Sequence, residues 1–354
     1  MKVFLTKFHY KKNFSIIEKV LYFPLYVLLV LPTIAYWSIT KTRNFLYKKD
    51  ILKKYNPKIY TISVGNLTTG GTGKTPITAE IANYFAQKGD YPAILSRGYG
   101  GTISNKNVNI ISDGNTINFG ATEAGDEPFW LAKHCPKVAV LTCSSRVNAA
   151  KFAKTNLNCT KLILDDGYQH QKLERNLNIL VIDSEKQFSN GSVLPLGALR
   201  EPISEVKRAD KIIVVNKSIN EKKAKSFANL LKKKYNKPVF ICNMEPADVY
   251  NIQTKKIIDD SMPVIAFCAI GQPEQFYKYL QRYDIMATKS YPDHHLYTKD
   301  DIEELKNLMK KNDAKCLITT EKDAVKIQAL LNDNEQIYAL KLKPSLDLRG
   351  LLDE

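Results

Sequence analysis

The sequence of 354 residues predicts an α/β fold, with a parallel sheet covered by helices on both faces. Continuous apolar runs such as Ile59–Val64 and Ile179–Asp183 recur along the chain and alternate with segments of helical periodicity such as Pro76–Lys88. Unbroken apolar runs are typical of parallel strands, because both sides of each strand are buried. Right-handed crossovers place the carboxyl ends of such strands, and the loops after them, at one edge of the sheet. We therefore expect the functional residues in those loops.

The composition indicates a folded protein with an uneven basic excess. Hydrophobic residues make up 44% and charged residues 25%, which is ordinary. The net charge is +16, and the first 58 residues supply +10 of it from twelve Lys/Arg and two acidic residues. Such an excess indicates a polyanionic partner, either nucleic acid or an anionic membrane face. The six cysteines are scattered without a C-x-x-C pair, so we expect buried thiols rather than disulfides or a zinc site.

The N-terminal segment has the length of a membrane anchor. Between Lys19 and Lys41 lie 21 uncharged residues, enough to cross a hydrocarbon core of roughly 30 Å. Pro24 and Pro32 would kink a straight helix, and the alternative is a buried core helix. Because Lys and Arg bracket the apolar run, we assign them to anionic lipid head groups rather than to nucleic acid. We predict a basic anchor at residues 1–45 that spans or dips into the bilayer.

A glycine-rich loop after the first core strand predicts a P-loop NTPase-like core. A strand, a glycine-rich loop, Lys-Thr and a helix follow one another, which is the layout of a nucleotide phosphate site. Lys74 can reach the β and γ phosphate oxygens, and the Thr75 hydroxyl can ligate Mg²⁺. Thr68 stands where the usual pattern has glycine, and the alternative is a glycine-rich turn without a ligand. The predicted nucleotide-binding residues are Thr68, Thr69, Gly70, Gly71, Thr72, Gly73, Lys74 and Thr75.

Acidic residues at two strand ends are candidates for the metal site. Asp165 and Asp166 follow an apolar strand, where such a fold places the acidic partner of Mg²⁺. Asp183 ends another strand and is a rival, and either site could instead be a turn or a helix cap. Asp126 and Glu127 precede a helix, and Asp126 at the N-cap with Pro128 just inside is also ordinary helix-start chemistry. If these carboxylates are functional, we expect one to act as a base on a substrate hydroxyl or to hold a metal-bound water.

Basic and aromatic residues follow other strands. Arg97 can pair with a phosphate and Tyr99 can pack on a sugar or base, while a lone arginine such as Arg146 or Arg200 could equally be in a surface ion pair. The pair Asn216-Lys217 resembles a guanine-reading loop, but no Asp follows at the required place, which argues against a GTPase.

The C-terminal part of the sequence predicts a second, smaller α/β domain. We place a P-loop core at residues 46–246, a less regular stretch at 247–261 and the C-terminal domain at 262–354. Its loop Asp293-His294-His295 holds adjacent imidazoles, which point apart, so we expect only one of them to act. The run Thr319–Asp323 follows a strand and could be a helix cap with solvated charges. We expect the tail from Asp347 to be loosely ordered.

Taken together, these motifs resemble one family, the tetraacyldisaccharide 4′-kinases of lipid A biosynthesis. The matching segments run in order through the chain: Gly65-Asn66 with Gly70–Pro76, Ser96–Gly100, Gly125–Pro128, Asp165–His170, Leu199–Pro202, Asp293–His295 and Thr319–Ala324. The resemblance implies transfer of the γ-phosphoryl group of ATP to the 4′-hydroxyl of lipid A disaccharide 1-phosphate, giving lipid IVA. It also implies an enzyme at the cytoplasmic face of the inner membrane, built from two α/β domains, with the kinase core at residues 46–246 and a hinge at 247–261.

The resemblance further implies a role for each candidate residue. Asp126 acts as general base with His294, and Lys74 binds the phosphates. Thr75, Asp165, Asp166 and Glu127 hold or support Mg²⁺. The residues implied on the nucleotide or lipid-phosphate side are Arg97, Tyr99, Arg146, His170 and Arg200.

Two other functions are compatible with parts of the sequence. A membrane-attached P-loop ATPase that switches partners would need no histidine loop in the second domain. A nucleic-acid-binding membrane protein would show basic residues interleaved with aromatics along a groove, whereas the excess here brackets the apolar run. We expect no obligate protein partner and no nucleic acid.

Overall fold

The computed structural model describes residues 16–218, 221–271, 273–293, 295–332 and 335–353, with only the main chain described for 16–22. Within these ranges, twelve strands form one sheet in the order β10-β9-β11-β12-β8-β7-β6-β1-β5-β2-β4-β3. The strands are β1 (Tyr60–Gly65), β2 (Pro92–Ser96), β3 (Asn109–Ser112), β4 (Ala139–Thr142), β5 (Lys161–Asp165), β6 (Leu177–Asp183), β7 (Lys211–Asn216), β8 (Val239–Asn251), β9 (Pro263–Cys268), β10 (Asp284–Ser290), β11 (Cys316–Thr320) and β12 (Ile337–Ser345).

Helices connect the strands. They are α1 (Ile16–Lys48), α2 (Lys74–Gln87), α3 (Ala121–Ala124), α4 (Asp126–His134), α5 (Arg146–Thr155), α6 (Lys222–Tyr235), α7 (Pro273–Tyr279), α8 (Lys299–Lys311), α9 (Glu321–Ile327) and α10 (Leu348–Leu352), with 3₁₀ turns at Ile203–Arg208 and Gln328–Leu330. The described cysteines are all buried and unpaired, as predicted.

The central strands confirm the predicted parallel sheet with helices on both faces. β1 pairs in parallel with β5 on one side and β6 on the other. Successive side chains point to opposite faces, so Ile179 and Val181 of β6 join the core under α2 and α4, while Leu180 and Ile182 join the core under α6. Both cores are needed because each strand is apolar on both sides. The arrangement places the ends of β1 and β5, and the loops after them, next to each other.

Two pairings depart from the parallel pattern. β3 pairs antiparallel with β4 at the edge of the sheet. β8 pairs in parallel with β7 through its first half and antiparallel with β12 through its second half. A single long strand therefore carries the sheet from the P-loop half into the C-terminal half. The range predicted as a hinge, 247–261, begins inside β8, which extends to Asn251; the domain boundaries stay a prediction.

Helix α1 leaves most of its apolar surface uncovered. It is long and apolar enough to cross a membrane, and only 6% of the 18-residue apolar window within the candidate span Phe23–Lys48 is buried. The exposed fraction is 70% for Leu28 and 74% for Leu31. The alternative of a buried core helix is therefore wrong for this segment. Residues 1–15 of the predicted anchor lie outside the described residues.

The C-terminal tail is ordered, contrary to expectation. α10 places Leu351 in the main core, fully buried. Asp347 caps the helix by accepting a hydrogen bond from the Gly350 amide at 3.1 Å, and Lys211 donates to the Leu351 carbonyl at 2.9 Å. The tail therefore closes one edge of the core under β7 and β8.

Candidate active site

The glycine-rich loop bends directly from β1 into α2. Gly73 is the N-cap of α2 and has φ +91°, a left-handed conformation in which glycine avoids Cβ strain. The loop is held from one side by residues 198–199, since the Thr69 amide donates to the Ala198 carbonyl at 2.8 Å. Within the loop, Asn66 Nδ2 donates to Thr72 Oγ1 at 3.1 Å. No side chain caps the N-terminus of α2, so its first amides are available to stabilise an anion at this end of the helix.

Lys74 and Arg200 converge on one carboxylate. Lys74 Nζ lies 3.5 Å from Asp166 Oδ1, and Arg200 Nη1 donates to Asp166 Oδ2 at 2.7 Å. Burial alone would raise the pKa of Asp166, but the two cations outweigh it and lower the pKa to about 2. Asp166 is therefore ionised at neutral pH, and Lys74 is held at the mouth of the loop.

Asp165 lies next to Asp166, but less nearby positive charge offsets the burial of its carboxylate. It ends β5, is 2% exposed, and accepts a hydrogen bond from Thr78 Oγ1 of α2 at 3.1 Å. Burial, together with the charges of Glu127 and Asp166, raises the pKa of Asp165 to about 7. Asp165 and Asp166 thus place two neighbouring carboxylates at the end of β5, and a cation there would stabilise their negative charge.

The rival Asp183 is already neutralised. Lys217 Nζ lies 3.0 Å from its Oδ2, and its Oδ1 accepts hydrogen bonds from the amides of Glu185 and Lys186. Burial opposes ionisation, but Lys217 and these amides lower the pKa of Asp183. Asp183 therefore acts as a turn residue and a partner for Lys217, and the geometry favours the Asp165–Asp166 pair as metal ligands.

The residues present fit Mg²⁺ bound together with a nucleotide. Asp166 Oδ1 is buried and accepts no hydrogen bond, although the Lys74 ammonium lies 3.5 Å away, and Thr75, at the second position of α2, is close to fully buried. Across the part of the chain that the structure describes, no group of three or more His, Cys, Asp and Glu forms a metal centre from protein ligands alone. Mg²⁺ needs no such group, because it takes one or two carboxylates and completes its shell with water and phosphate oxygens.

Asp126 occupies the first turn of α4 at the same edge. The N-cap is Gly125, with φ +92°, and no side chain caps the helix, so the interpretation of Asp126 as an N-cap is wrong. A Cβ on Gly125 would lie 2.6 Å from the Tyr99 carbonyl oxygen, so the 97–101 loop packs main chain to main chain against the start of α4. This contact brings Asp126 and Glu127 to the loop that carries Arg97 and Tyr99.

The predicted substrate residues differ in exposure. Arg97 is exposed and Tyr99 is 84% exposed, so both are open to a ligand. Arg146 is buried and donates from Nη1 to the carbonyls of Ser96 and Cys143, both at 2.8 Å, which ties the ends of β2 and β4 together. Its role toward substrate stays a prediction.

His170 is neutral at physiological pH. Burial lowers the pKa of His170 to about 4, and the guanidinium groups of Arg146 and Arg97 act in the same direction. It can therefore accept or donate a hydrogen bond at the substrate side but does not supply positive charge to a phosphate.

The histidine loop is only partly described. His294, our choice for the acting histidine, lies outside the described residues. His295 Nε2 lies 3.0 Å from Asp301 Oδ2 at the N-terminal cap of α8, and the ring stacks on Tyr291 with centroids 4.8 Å apart. His295 is thus engaged within its own half of the protein, and the choice of His294 stays a prediction.

Comparison with known proteins decides the family. The family model described as Tetraacyldisaccharide-1-P 4'-kinase matches residues 25–354. The chain belongs to this family. It is 36% identical to the Tetraacyldisaccharide 4'-kinase of Desulfotalea psychrophila over 304 residues, covering 84% of this chain and 87% of the relative. It is 33% identical to that of Halothermothrix orenii over 362 residues, covering 96% and 92%.

A solved structure in this 4′-kinase family has the same fold. The crystal structure of LpxK from Aquifex aeolicus in complex with ATP superimposes with a TM-score of 0.73 at 30% identity, covering 93% of this chain and 97% of that one. The suspected family, the α/β P-loop fold and the classification as a kinase are therefore confirmed.

Sequence reasoning on this 4′-kinase missed a buried ionic cluster beside the site. Glu201 is fully buried and does not pair with its neighbour Arg200; it lies 2.7 Å from Arg43 of α1 and 2.6 Å from Arg208. Asn44 of α1 also donates to Glu201 at 3.0 Å and accepts from Gln171 at 2.7 Å. The sequence signal for this cluster is Glu201, an acidic residue in a mostly apolar loop. The cluster docks the C-terminal half of α1 onto the segment that follows Asp166.

Proposed function

We propose that this chain transfers the γ-phosphoryl group of ATP to the 4′-hydroxyl of lipid A disaccharide 1-phosphate, giving lipid IVA. The observation that carries the proposal is the convergence of Lys74 and Arg200 on Asp166 beside the glycine-rich loop. This arrangement is suited to phosphoryl transfer, which depends on charge neutralisation and positioning more than on covalent help. Membership of the family and the ATP-bound relative support the same reaction.

The nucleotide phosphates bind to the loop Thr68–Thr75. The amides at the start of α2 donate to phosphate oxygens, and the Lys74 ammonium pairs with the β and γ groups. Thr75, Asp165 and Asp166 would hold Mg²⁺, with Glu127 in support, and the bound ion would neutralise charge on the transferred group. Asp166 also pairs with the Lys74 ammonium and so fixes its position beside the phosphate-binding loop.

Asp126 accepts the proton of the 4′-hydroxyl. A sugar hydroxyl is a weak acid, so a carboxylate beside it helps as the O–P bond forms and proton loss develops. The position of Asp126 at the start of α4, against the 97–101 loop, supports this role. We assign the assisting imidazole to His294.

The lipid head group meets the exposed edge of the site. Arg97, Tyr99 and Arg200 contact the nucleotide or the lipid phosphate, with His170 contributing a neutral hydrogen bond and Arg146 fixing the strand ends beneath them. Closure between the two halves about residues 247–261 brings the histidine loop over the phosphates.

Helix α1 places the enzyme at the inner membrane, with the site on the cytoplasmic face. The exposed apolar surface of α1 and its flanking basic residues support this location. The acyl chains stay in the bilayer, because each CH₂ moved into water costs about 0.8 kcal/mol. Docking of α1 beside Asp166 therefore sets the site at the height of the head group. In this proposal the enzyme has no obligate protein partner and does not bind nucleic acid.

The deciding experiment follows label from γ-labelled ATP into disaccharide 1-phosphate lipid in detergent micelles. The parent protein should label the lipid, and Asp126→Asn and Lys74→Met should label it only at a small residual rate. If the parent hydrolyses ATP at a rate that is independent of lipid and labels none of it, the protein is a membrane-attached P-loop ATPase instead. Testing His294→Ala and His295→Ala in parallel identifies the acting histidine.

A further inference from the structure

Helix α9 reaches across the protein to the helix that carries Asp126. Three of its side chains contact α4: Glu321 Oε1 lies 3.1 Å from His134 Nε2, Lys322 Nζ lies 3.3 Å from Glu127 Oε1, and Lys326 Nζ lies 3.6 Å from Asp126 Oδ2. The contacts run from the last turn of α4 to its first. The two helices thus join the C-terminal half of the sheet to the P-loop half directly beside the phosphate site.

The two lysines of α9 differ in their surroundings. The side chain of Lys322 is 46% exposed and that of its partner Glu127 is 44% exposed, and an ion pair this exposed contributes little to stability. The side chain of Lys326 is only 7% exposed. It lies between Asp126 and Asp323, with Asp323 Oδ1 at 3.4 Å. A lysine this well buried needs both carboxylates, because an unpaired buried ammonium is costly.

Asp323 fixes Lys326 to the rigid part of the second half. Asp323 is fully buried, and its Oδ2 accepts hydrogen bonds from the Ala269 amide and from Thr320 Oγ1, both at 2.9 Å. Ala269 follows β9 and Thr320 ends β11. The ammonium of Lys326 is therefore held by the ends of two neighbouring strands and presented to α4.

We propose that Lys326 is a positioning residue for phosphoryl transfer, which holds the Asp126 carboxylate in place from the C-terminal half of the protein. This inference rests on the proposed role of Asp126 as the base. A carboxylate at the first turn of a helix, 30% exposed, has several rotamers available. The buried ammonium stabilises the Asp126 rotamer that faces α9 and so holds the negative charge beside the attacking hydroxyl. The C-terminal half thereby completes the site of the P-loop half.

The test compares Lys326→Met with Lys322→Met in the full-length protein in micelles. Both substitutions remove one ammonium from α9, and only the first removes the contact with Asp126. We expect Lys326→Met to lower kcat about tenfold or more, while the KM for ATP changes by less than about threefold, because Lys74 and the loop amides are untouched. Lys322→Met should stay within about twofold of the parent. Lys326→Arg, which keeps the charge, should recover part of the loss.

A double-mutant cycle separates positioning from a purely structural role. If Lys326 acts through Asp126, adding Lys326→Met to Asp126→Asn lowers the residual rate little further. Equal effects of Lys326→Met in both backgrounds, or a rate equal to that of Lys322→Met, would overturn the proposal. Mg·ATP binding reports folding of each variant, and Lys326→Gln, which keeps a donor to Asp323, serves where Lys326→Met does not fold. Failure of the parent to label lipid, or full activity of Asp126→Asn, would instead overturn the proposed function.

Discussion

Arg200 donates a hydrogen bond to Asp166, Nη1 to Oδ2 at 2.7 Å, while the carbonyl of the same Arg200 accepts one from the Tyr36 hydroxyl of α1 at 2.9 Å. One residue thus joins α1 to the carboxylate that holds Lys74. Leu196 makes a second link, since its amide donates to Thr33 Oγ1 of α1 at 3.1 Å. The position of α1 and the geometry of the phosphate site are therefore not independent.

Replacing Arg200 by Gln should lower kcat/KM about tenfold or more, because Asp166 loses a charge-assisted hydrogen bond and the substrate loses a cation. Arg200→Lys should recover only part, since an ammonium cannot reproduce the planar guanidinium. The measurement is the initial rate of lipid phosphorylation. Lys207→Gln, in the exposed part of the same segment, is the matched control and should change the rate little. Equal rates for Arg200→Gln and Lys207→Gln would contradict this assignment.

Replacing Lys74 by Met should lower transfer at least about a thousandfold, because the β and γ phosphates lose their main protein cation. It should also remove the stabilisation that Mg·ATP gives the folded protein, which a thermal melt with and without nucleotide measures. Lys88→Met is a suitable control, since Lys88 follows the same helix but pairs with Asp353 at the far end. A variant of Lys74 that still melts higher with Mg·ATP would show that the nucleotide binds elsewhere.

Replacing Glu201 by Gln should destabilise the folded protein by about 3–5 kcal/mol, because Arg43 and Arg208 then lose the buried carboxylate between them. Urea unfolding in micelles measures the free energy of unfolding. Glu185→Gln removes an exposed carboxylate paired with Lys223 and should cost less than about 1 kcal/mol. If the two substitutions cost the same, the cluster does not anchor α1.

The local motifs of the site could be predicted from the sequence, and the contacts between distant segments could not. The order of strand, glycine-rich loop and Lys74 is contiguous, and so is the strand that ends at Asp165, so short-range rules suffice. Glu201 depends on Arg43, 158 residues away, and no periodicity reports that distance. The order of the C-terminal tail is hard to predict for the same reason, since burial of Leu351 depends on a core built by earlier strands. Antiparallel pairing of β8 with β12 likewise depends on where the chain returns, which strand composition does not encode.

Replacing Gly125 by Ala should lower kcat about tenfold or more while the protein stays folded. The new Cβ meets the Tyr99 carbonyl oxygen at 2.6 Å, and the φ of +92° is unfavourable for any L side chain, so the start of α4 must shift and carry Asp126 with it. Gly120→Ala is the matched control, because its Cβ has no neighbour closer than Glu123 Oε2 at 3.8 Å. We expect Gly120→Ala to retain parental activity. Equal rates for the two variants would mean that the contact between the 97–101 loop and α4 does not position the base.

Replacing His170 by Gln should change how stability depends on pH, with a definite sign. The pKa of His170 is lowered to about 4 in the folded protein, against about 6.5 when unfolded, so between these values only the unfolded chain takes up the proton. The parent therefore loses stability relative to His170→Gln as the pH falls from 6.5 to 4, by up to about 3 kcal/mol. Urea unfolding of both proteins at several pH values measures this difference. Arg97→Met removes one repelling charge, so it should raise the pKa of His170 and reduce the effect. A difference between parent and variant that stays constant across this range would show that His170 is solvated and titrates normally, which would leave it free to carry charge to the lipid phosphate.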